Sequence, residues 1–243
     1  VSHIFILDQN LKNLIGHYFE YDRSVAEAAI RRGCECTVLA HEAADLPAGL
    51  PFDIQPIYTV DIWGTQPGAN FHDTSSIEAM GELFAKETLM ALRRMGRLPG
   101  KGDVVFFPTI TKNQMPGVAM LAEKFASDGA SIKVMLRYQK ALMDGVAAEA
   151  AYKRLEAIVR KGGKVTLCSD SHRLGAELSA LTTLPIETYP IPHTEHVDEE
   201  DRIRPRPQRR NSDTLSLVSL GNARGEKGLA EILDAVRLTE KEP

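Results

Sequence analysis

The sequence predicts an α/β fold, a mainly parallel sheet covered by helices on both faces. Two observations predict it. Short, nearly continuous apolar runs recur along the chain, as expected of strands buried on both faces. Between them lie longer stretches whose apolar residues repeat with the helical period.

HIFILD (3–8) is the first apolar run and ends in an acid, Asp8. From Tyr18 to Arg32 the spacing is helical, with Tyr18, Tyr21, Val25, Ala28 and Ala29 on one face and Glu20, Arg23, Glu27 and Arg31 on the other. Gly33 stands where a helix C-terminal glycine belongs. CTVLAH (36–41) and DIQPIYT (53–59) read as the second and third strands. A helix over Ser75 to Arg97 carries Ile77, Met80, Phe84, Ala91 and Met95 as a stripe, with Met80, Met90 and Met95 assigned to the core. DVVFFP (103–108) is the fourth strand, and Pro116 suits the first turn of the helix holding Val118, Leu121 and Phe125. SIKVMLRY (131–138), KVTLCS (164–169) and IETYPI (186–191) are the remaining strands, with helices predicted over 146–160 and 170–181. Seven strands before residue 195 make one complete domain.

EHVDEEDRIRPRPQRRNSD (195–213) has no apolar period, and an acidic run gives way to a basic one, so it reads as a linker. Arg202, Arg204, Arg206, Arg209 and Arg210 fit a solvated linker, with peripheral contact to anionic lipid as the alternative. The strand–helix pattern then restarts once, over 214–243.

Composition narrows the function classes. The 243 residues are 43% hydrophobic and 26% charged, with a net charge of −4, which gives no reason to expect nucleic acid as partner. No apolar run approaches the roughly 18 residues of a membrane span, and VSHIFILD lacks the character of a secretion signal. Cys34, Cys36 and Cys168 form neither a disulfide framework nor a zinc site, and Cys36 and Cys168 sit in apolar runs as small hydrophobes. A reducing cytoplasm is the expected setting.

In an open parallel sheet, ligands bind beyond the carboxyl ends of the strands, where helix N-termini point into a crevice. The first strand delivers Asp8 there, followed by QNLKNLIGHY with Gly16, His17 and Tyr18. DIWGTQPGANFHD brings Trp63, His72 and Asp73 after the third. The fourth gives 108–114, the fifth Arg137, and the sixth Ser169 and Asp170. Arg137 suits an anion contact or a local ion pair. Ser169 or Asp170 is read as the N-cap of the next helix, and Gly16 permits a tight turn. No Ser/His/Asp order, paired-carboxylate motif or metal-ligand cluster stands out, and the G-x-G-x-x-G fingerprint is absent.

SLVSLGNARGEKGLAEILDAV (216–236) adds a second kind of signal. Gly221, Glu226, Lys227 and Gly228 match the turn G-R-L-x-x-E-K-G, with Asn222 at its arginine position and Arg224 displaced by two. A domain, a linker and this strand–turn–helix resemble the group 1 (GT4-like) family of GT-B-fold nucleotide-sugar glycosyltransferases. The glycine turn at Gly16, and TLCSDSHRLGAEL followed by IETYPIPH, are similar to the same family.

The resemblance implies a Rossmann-like acceptor-side domain over 1–194, a linker over 195–213 and the start of a donor-binding domain over 214–243. It implies a nucleotide diphosphate-sugar as donor, with Gly16, Arg224 and Lys227 at its phosphates, and no further cofactor or metal. It also implies retention at the anomeric carbon. A glycan, lipid or small-molecule acceptor would meet Asp8, His17, Tyr18, Trp63, His72, Arg137 and Asp170, and would contact the loops 9–18, 61–73 and 108–114. The family's histidine after the fourth strand is replaced by DVVFFPT, so no catalytic residue is assigned, and its acidic E-x7-E motif is not found. The 243 residues are therefore expected to be a piece that alone transfers no sugar. The alternatives are a non-catalytic α/β binding domain, as a degenerate transferase used for assembly would be, and a flavodoxin-like small-molecule enzyme.

Overall fold

The computed structural model describes residues 2–14, 17–63 and 73–189, with Asp234 and Arg237. The chain divides into units 1–196 and 197–243. Of the second unit, Asp234 and Arg237 lie in a helix and form an exposed pair at 3.3 Å. The linker and the strand over 214–221, with Arg224 and Lys227, lie outside the described residues.

In the first unit the order is β1 (His3–Leu7), α1 (Tyr18–Arg31), β2 (Glu35–His41), β3 (Asp53–Tyr58), α2 (Thr74–Arg94), β4 (Val104–Ile110) and α3 (Met115–Ser127). It continues through β5 (Ser131–Leu136), α4 (Lys140–Met143), α5 (Val146–Arg160), β6 (Lys164–Ser169), α6 (His172–Leu178) and β7 (Ile186–Thr188). The strands form one parallel sheet in the order β3-β2-β1-β4-β5-β6-β7. This is the Rossmann-like arrangement, in which the chain reverses direction across the sheet between β1 and β4.

The two faces have separate cores, and strand alternation sorts residues between them. Phe5, Leu7, Val105 and Phe107 face α2, α3 and α5 together with Phe84, Phe125 and Leu155. Ile6, Val38, Phe106, Met135 and Cys168 face the opposite side, where α1 contributes Phe19, Tyr21 and Ala26. Cys36 and Cys168 are buried free thiols, as their apolar setting predicts.

Several details differ from expectation. The buried stripe of α1 is Phe19, Tyr21, Asp22, Ala26 and Ala29, so an acid occupies the core face. On α2 the stripe is Ile77, Gly81, Phe84, Ala85, Thr88, Ala91 and Leu92. Met90 falls outside that arc and is 41% exposed. Asp73, placed by sequence at the crevice, caps α2 by accepting from the Ser76 N–H at 2.9 Å. The predicted 170–181 helix begins at His172 and tightens into a 3-10 turn over Ser179–Leu181. Its N-cap is Ser171, neither Ser169 nor Asp170. Ser169 is buried and its hydroxyl donates to the Ser171 carbonyl at 3.0 Å, which removes it from capping.

The two long helices α2 and α3 touch through glycines. A Cβ on Gly117 would lie 2.2 Å from the Gly81 carbonyl oxygen, and one on Gly81 would lie 2.8 Å from the Gly117 nitrogen. Backbone therefore meets backbone at this crossing.

Candidate functional site

Asp8 follows β1 directly and is fully buried at the carboxyl edge of the sheet. Its N–H still bonds the Leu39 carbonyl at 3.0 Å, so the strand's rigidity extends to it. One carboxyl oxygen accepts from the Asn10 N–H at 2.7 Å and the other from the Thr109 hydroxyl at 3.4 Å. Asp22, one turn into α1, is 1% exposed, and neither of its oxygens has a hydrogen-bond partner among the described residues. Arg137 follows β5, and its guanidinium lies over the Tyr21 ring, 5.0 Å from the centroid.

These groups set one another's protonation. Burial raises the Asp8 carboxyl, opposed by the Asn10 N–H and by the charge of Arg137. Burial raises Asp22 further, and the neighbouring Asp8 charge adds to it. Two carboxyls this close in a dry site cannot both ionise. Burial and mutual repulsion therefore hold both carboxyls toward the protonated form, Asp22 more strongly than Asp8, while the charge of Arg137 opposes this at both. A paired-carboxylate arrangement is thus present that sequence analysis did not find, because its members come from β1 and α1. The signal was available: Tyr18, Asp22, Val25 and Ala29 follow the i, i+4, i+7, i+11 spacing of one helix face.

A second group surrounds Trp63. The buried residue before it, Ile62, donates its N–H to the Asn10 side-chain oxygen at 3.1 Å and accepts from the Asn113 amide at 3.0 Å. Trp63 itself donates its N–H to Asp61 at 2.9 Å, and the other Asp61 oxygen pairs with Lys12 at 2.8 Å. The indole meets the Tyr138 ring edge-on, with centroids 5.4 Å apart and planes at 75°. The Tyr138 and Tyr18 hydroxyls lie 3.4 Å apart, and the Tyr18 ring lies 4.6 Å from that of His17.

No protein-family model matches the chain, and no curated protein matches it. Among solved structures it is similar to an α-glucosyltransferase in complex with UDP and a 13-mer DNA, at 13% identity and TM-score 0.43 over 79% of this chain and 43% of that one. It is also similar to a glycosyltransferase from Rickettsia africae, at 12% identity and TM-score 0.43 over 78% and 42%. MurG from Acinetobacter baumannii gives 13% identity and TM-score 0.38 over 72% and 42%. The chain thus spans about two fifths of the length of these proteins. At such identities the likeness concerns fold, and no function is carried across.

Of the residues singled out from sequence, Asp8, Tyr18 and Arg137 gather at this edge with His17 and Trp63. His17 is exposed at the N-cap position of α1, and its carbonyl accepts from the Tyr21 N–H at 3.1 Å. Asp170 is half-buried and follows β6 at the same carboxyl edge. Gly16 and His72 lie outside the described residues. Asn10, Lys12, Asp61 and Asn113 fall within the loops read from sequence but were not singled out there, and Asp22 was not read at all. Asn113→Ala is expected to leave the buried Ile62 carbonyl without its donor and to destabilise the domain by about 1–3 kcal/mol. Acrylamide quenching of the single tryptophan should rise in that variant, and an unchanged quenching constant would mean that Asn113 does not hold Trp63.

Proposed function

We propose that residues 1–194 are the acceptor-side domain of a nucleotide-sugar glycosyltransferase, linked through 195–213 to a donor-binding part that starts at 214. The observation that carries this is the turn GNARGEKGL placed one linker after a parallel α/β domain whose polar residues converge at its carboxyl edge. In this proposal Gly16, Arg224 and Lys227 contact the donor diphosphate. Asp8, His17, Tyr18, Trp63, His72, Arg137 and Asp170 border the acceptor.

In transfer, the bond from the anomeric carbon to the diphosphate breaks and a bond to an acceptor oxygen forms. The diphosphate leaves with the bonding electron pair and gains negative charge, and its oxygen takes up the proton that the acceptor hydroxyl gives up. Fixed cations and a helix N-terminus near the diphosphate stabilise that charge in the transition state. The family resemblance supports retention and transfer without a metal ion.

Calorimetric titration of the full-length protein with UDP-, GDP- and TDP-linked sugars tests the proposal, and failure of every one to bind would remove it. Lys227→Ala is expected to lower kcat/KM for the donor by about tenfold or more, in line with loss of one charged contact to a leaving group. Unchanged kinetics would make the match at Glu226–Lys227–Gly228 accidental.

A further inference from the structure

We infer that Trp63 and Tyr138 form a platform for a neutral sugar ring, so that the acceptor is a hydroxyl-rich carbohydrate. The inference deepens the transferase proposal by naming its acceptor class. It rests on three features of the carboxyl edge.

The first is how Trp63 is held. It is the only tryptophan in the sequence and is 37% exposed. Its backbone position is nevertheless fixed by two buried asparagines on Ile62, a bond to Asp61 and the Lys12–Asp61 pair. An indole left in water forgoes hydrophobic stabilisation, and ordering it costs conformational entropy. Rigid presentation of an uncovered aromatic ring is the arrangement of a binding surface.

The second is shape. Trp63 and Tyr138 meet with planes at 75°, which makes a corner of two flat apolar surfaces. A pyranose has an apolar face of C–H bonds and a rim of hydroxyls. Its flat face fits one ring while its edge meets the other.

The third is the chemistry behind the corner. Buried polar atoms without hydrogen-bond partners among the described residues include Asn10 Nδ2, Arg137 Nη1, Asn113 Oδ1 and Gln9 Oε1. Only the Tyr152 hydroxyl belongs to the same class elsewhere in the described residues. Unpartnered buried groups cost roughly 1–3 kcal/mol each, so a cluster of them at one edge calls for a polar ligand. The set mixes donors with acceptors. A hydroxyl serves both, whereas a phosphate or carboxylate dianion or anion only accepts. Charge points the same way. Asp8, Asp61 and Asp170 offset Arg137 and Lys12, and Lys12 is already paired. Arg137 therefore donates to a hydroxyl rather than anchoring an anion.

The test titrates the 243-residue chain with maltose, cellobiose and N,N′-diacetylchitobiose, following the emission of Trp63. Glucose 6-phosphate and phosphatidylglycerol vesicles are the anionic arms. At least one neutral disaccharide is expected to give a saturable change, with the anionic probes weaker. By calorimetry or ligand-observed NMR, Trp63→Ala and Tyr138→Ala should each weaken that binding tenfold or more. Trp63→Phe and Tyr138→Phe, which keep a ring, should stay within about threefold. The inference is overturned if no neutral disaccharide binds, if an anionic probe binds more tightly, or if both alanine variants bind like the parent. Nucleotide-sugar binding by the full-length protein separates the two proposals. Donor binding without saccharide binding removes the acceptor class alone. Saccharide binding without donor binding removes the transferase and leaves the platform.

Discussion

Gly117→Ala is expected to destabilise the domain by roughly 3 kcal/mol or more, the upper range for overpacking. The new methyl would lie 2.2 Å from the Gly81 carbonyl oxygen, 3.0 Å from its carbonyl carbon and 3.1 Å from Phe84 Cδ1. Two of these atoms are backbone and cannot rotate aside. Relief requires α2 and α3 to separate, which loosens Phe84, Val118 and Leu121, all fully buried between the helices and the sheet. For a domain of this size the melting temperature should fall by about 6–12 °C. Gly100→Ala is the control, since its nearest neighbour would be 3.6 Å away. Urea unfolding that placed Gly117→Ala within 1 kcal/mol of the parent would mean the helices do not meet through backbone.

The second large effect concerns Asp8 and Asp22. Both carboxyls are raised in the folded state, Asp8 to about 6 and Asp22 well above its ordinary 3.8, with burial the main cause. A raised acid binds its proton more tightly when folded, so unfolding releases protons once the pH exceeds the unfolded value. Stability from this pair is then greatest below pH 4 and is lost as pH rises through the folded values. Asp8 alone, shifted by about two units at 1.36 kcal/mol each, accounts for roughly 2–3 kcal/mol of that loss. Asp22→Asn keeps the shape and has no proton to lose. The variant is expected to flatten the decline between pH 5 and 8 and to exceed the parent in stability at pH 8. His3 and His41, lowered mainly by burial, act in the opposite sense near neutrality, and Glu87, raised mainly by burial, acts in the same sense as the pair. All three are common to parent and variant, so the difference isolates the Asp8–Asp22 pair. A variant with the parent's slope would show that the pair does not share one proton.

How far the sequence was legible follows from what each feature depends on. Strands buried on both faces read as apolar runs, so HIFILD, DVVFFP and SIKVMLRY announced themselves. Asp22 did not, because periodicity arguments send acids to the solvent side even when the spacing puts them inward. Gly81 and Gly117 each read as a mild helix penalty, and nothing linear pairs them across a separation of 36 positions. Trp63 attracted notice by rarity alone. Its clamp is assembled from residues 10, 62 and 113, which become neighbours only once β1 sits beside β4. Side-chain networks that cross strand order are invisible in one dimension, whereas burial patterns are local and survive there.

The place of β1 in the sheet also governs how the chain can come to be folded. Ile4 pairs with Cys36 on one side and with Val104 on the other, and the His3 N–H is held by Asp103, 100 positions away. During synthesis, the first 60 residues can assemble β3-β2-β1, but one edge of β1 stays open until β4 has been made. That edge belongs to Ile4, Phe5 and Ile6, of which Phe5 and Ile6 are fully buried in the finished domain. The nascent three-strand intermediate therefore presents an apolar, unpaired strand for as long as about 50 further residues take to emerge, roughly 2.5–10 seconds at 5–20 residues per second. Within that interval, capture by a chaperone and pairing with another unfinished chain compete for the surface that β4 later closes.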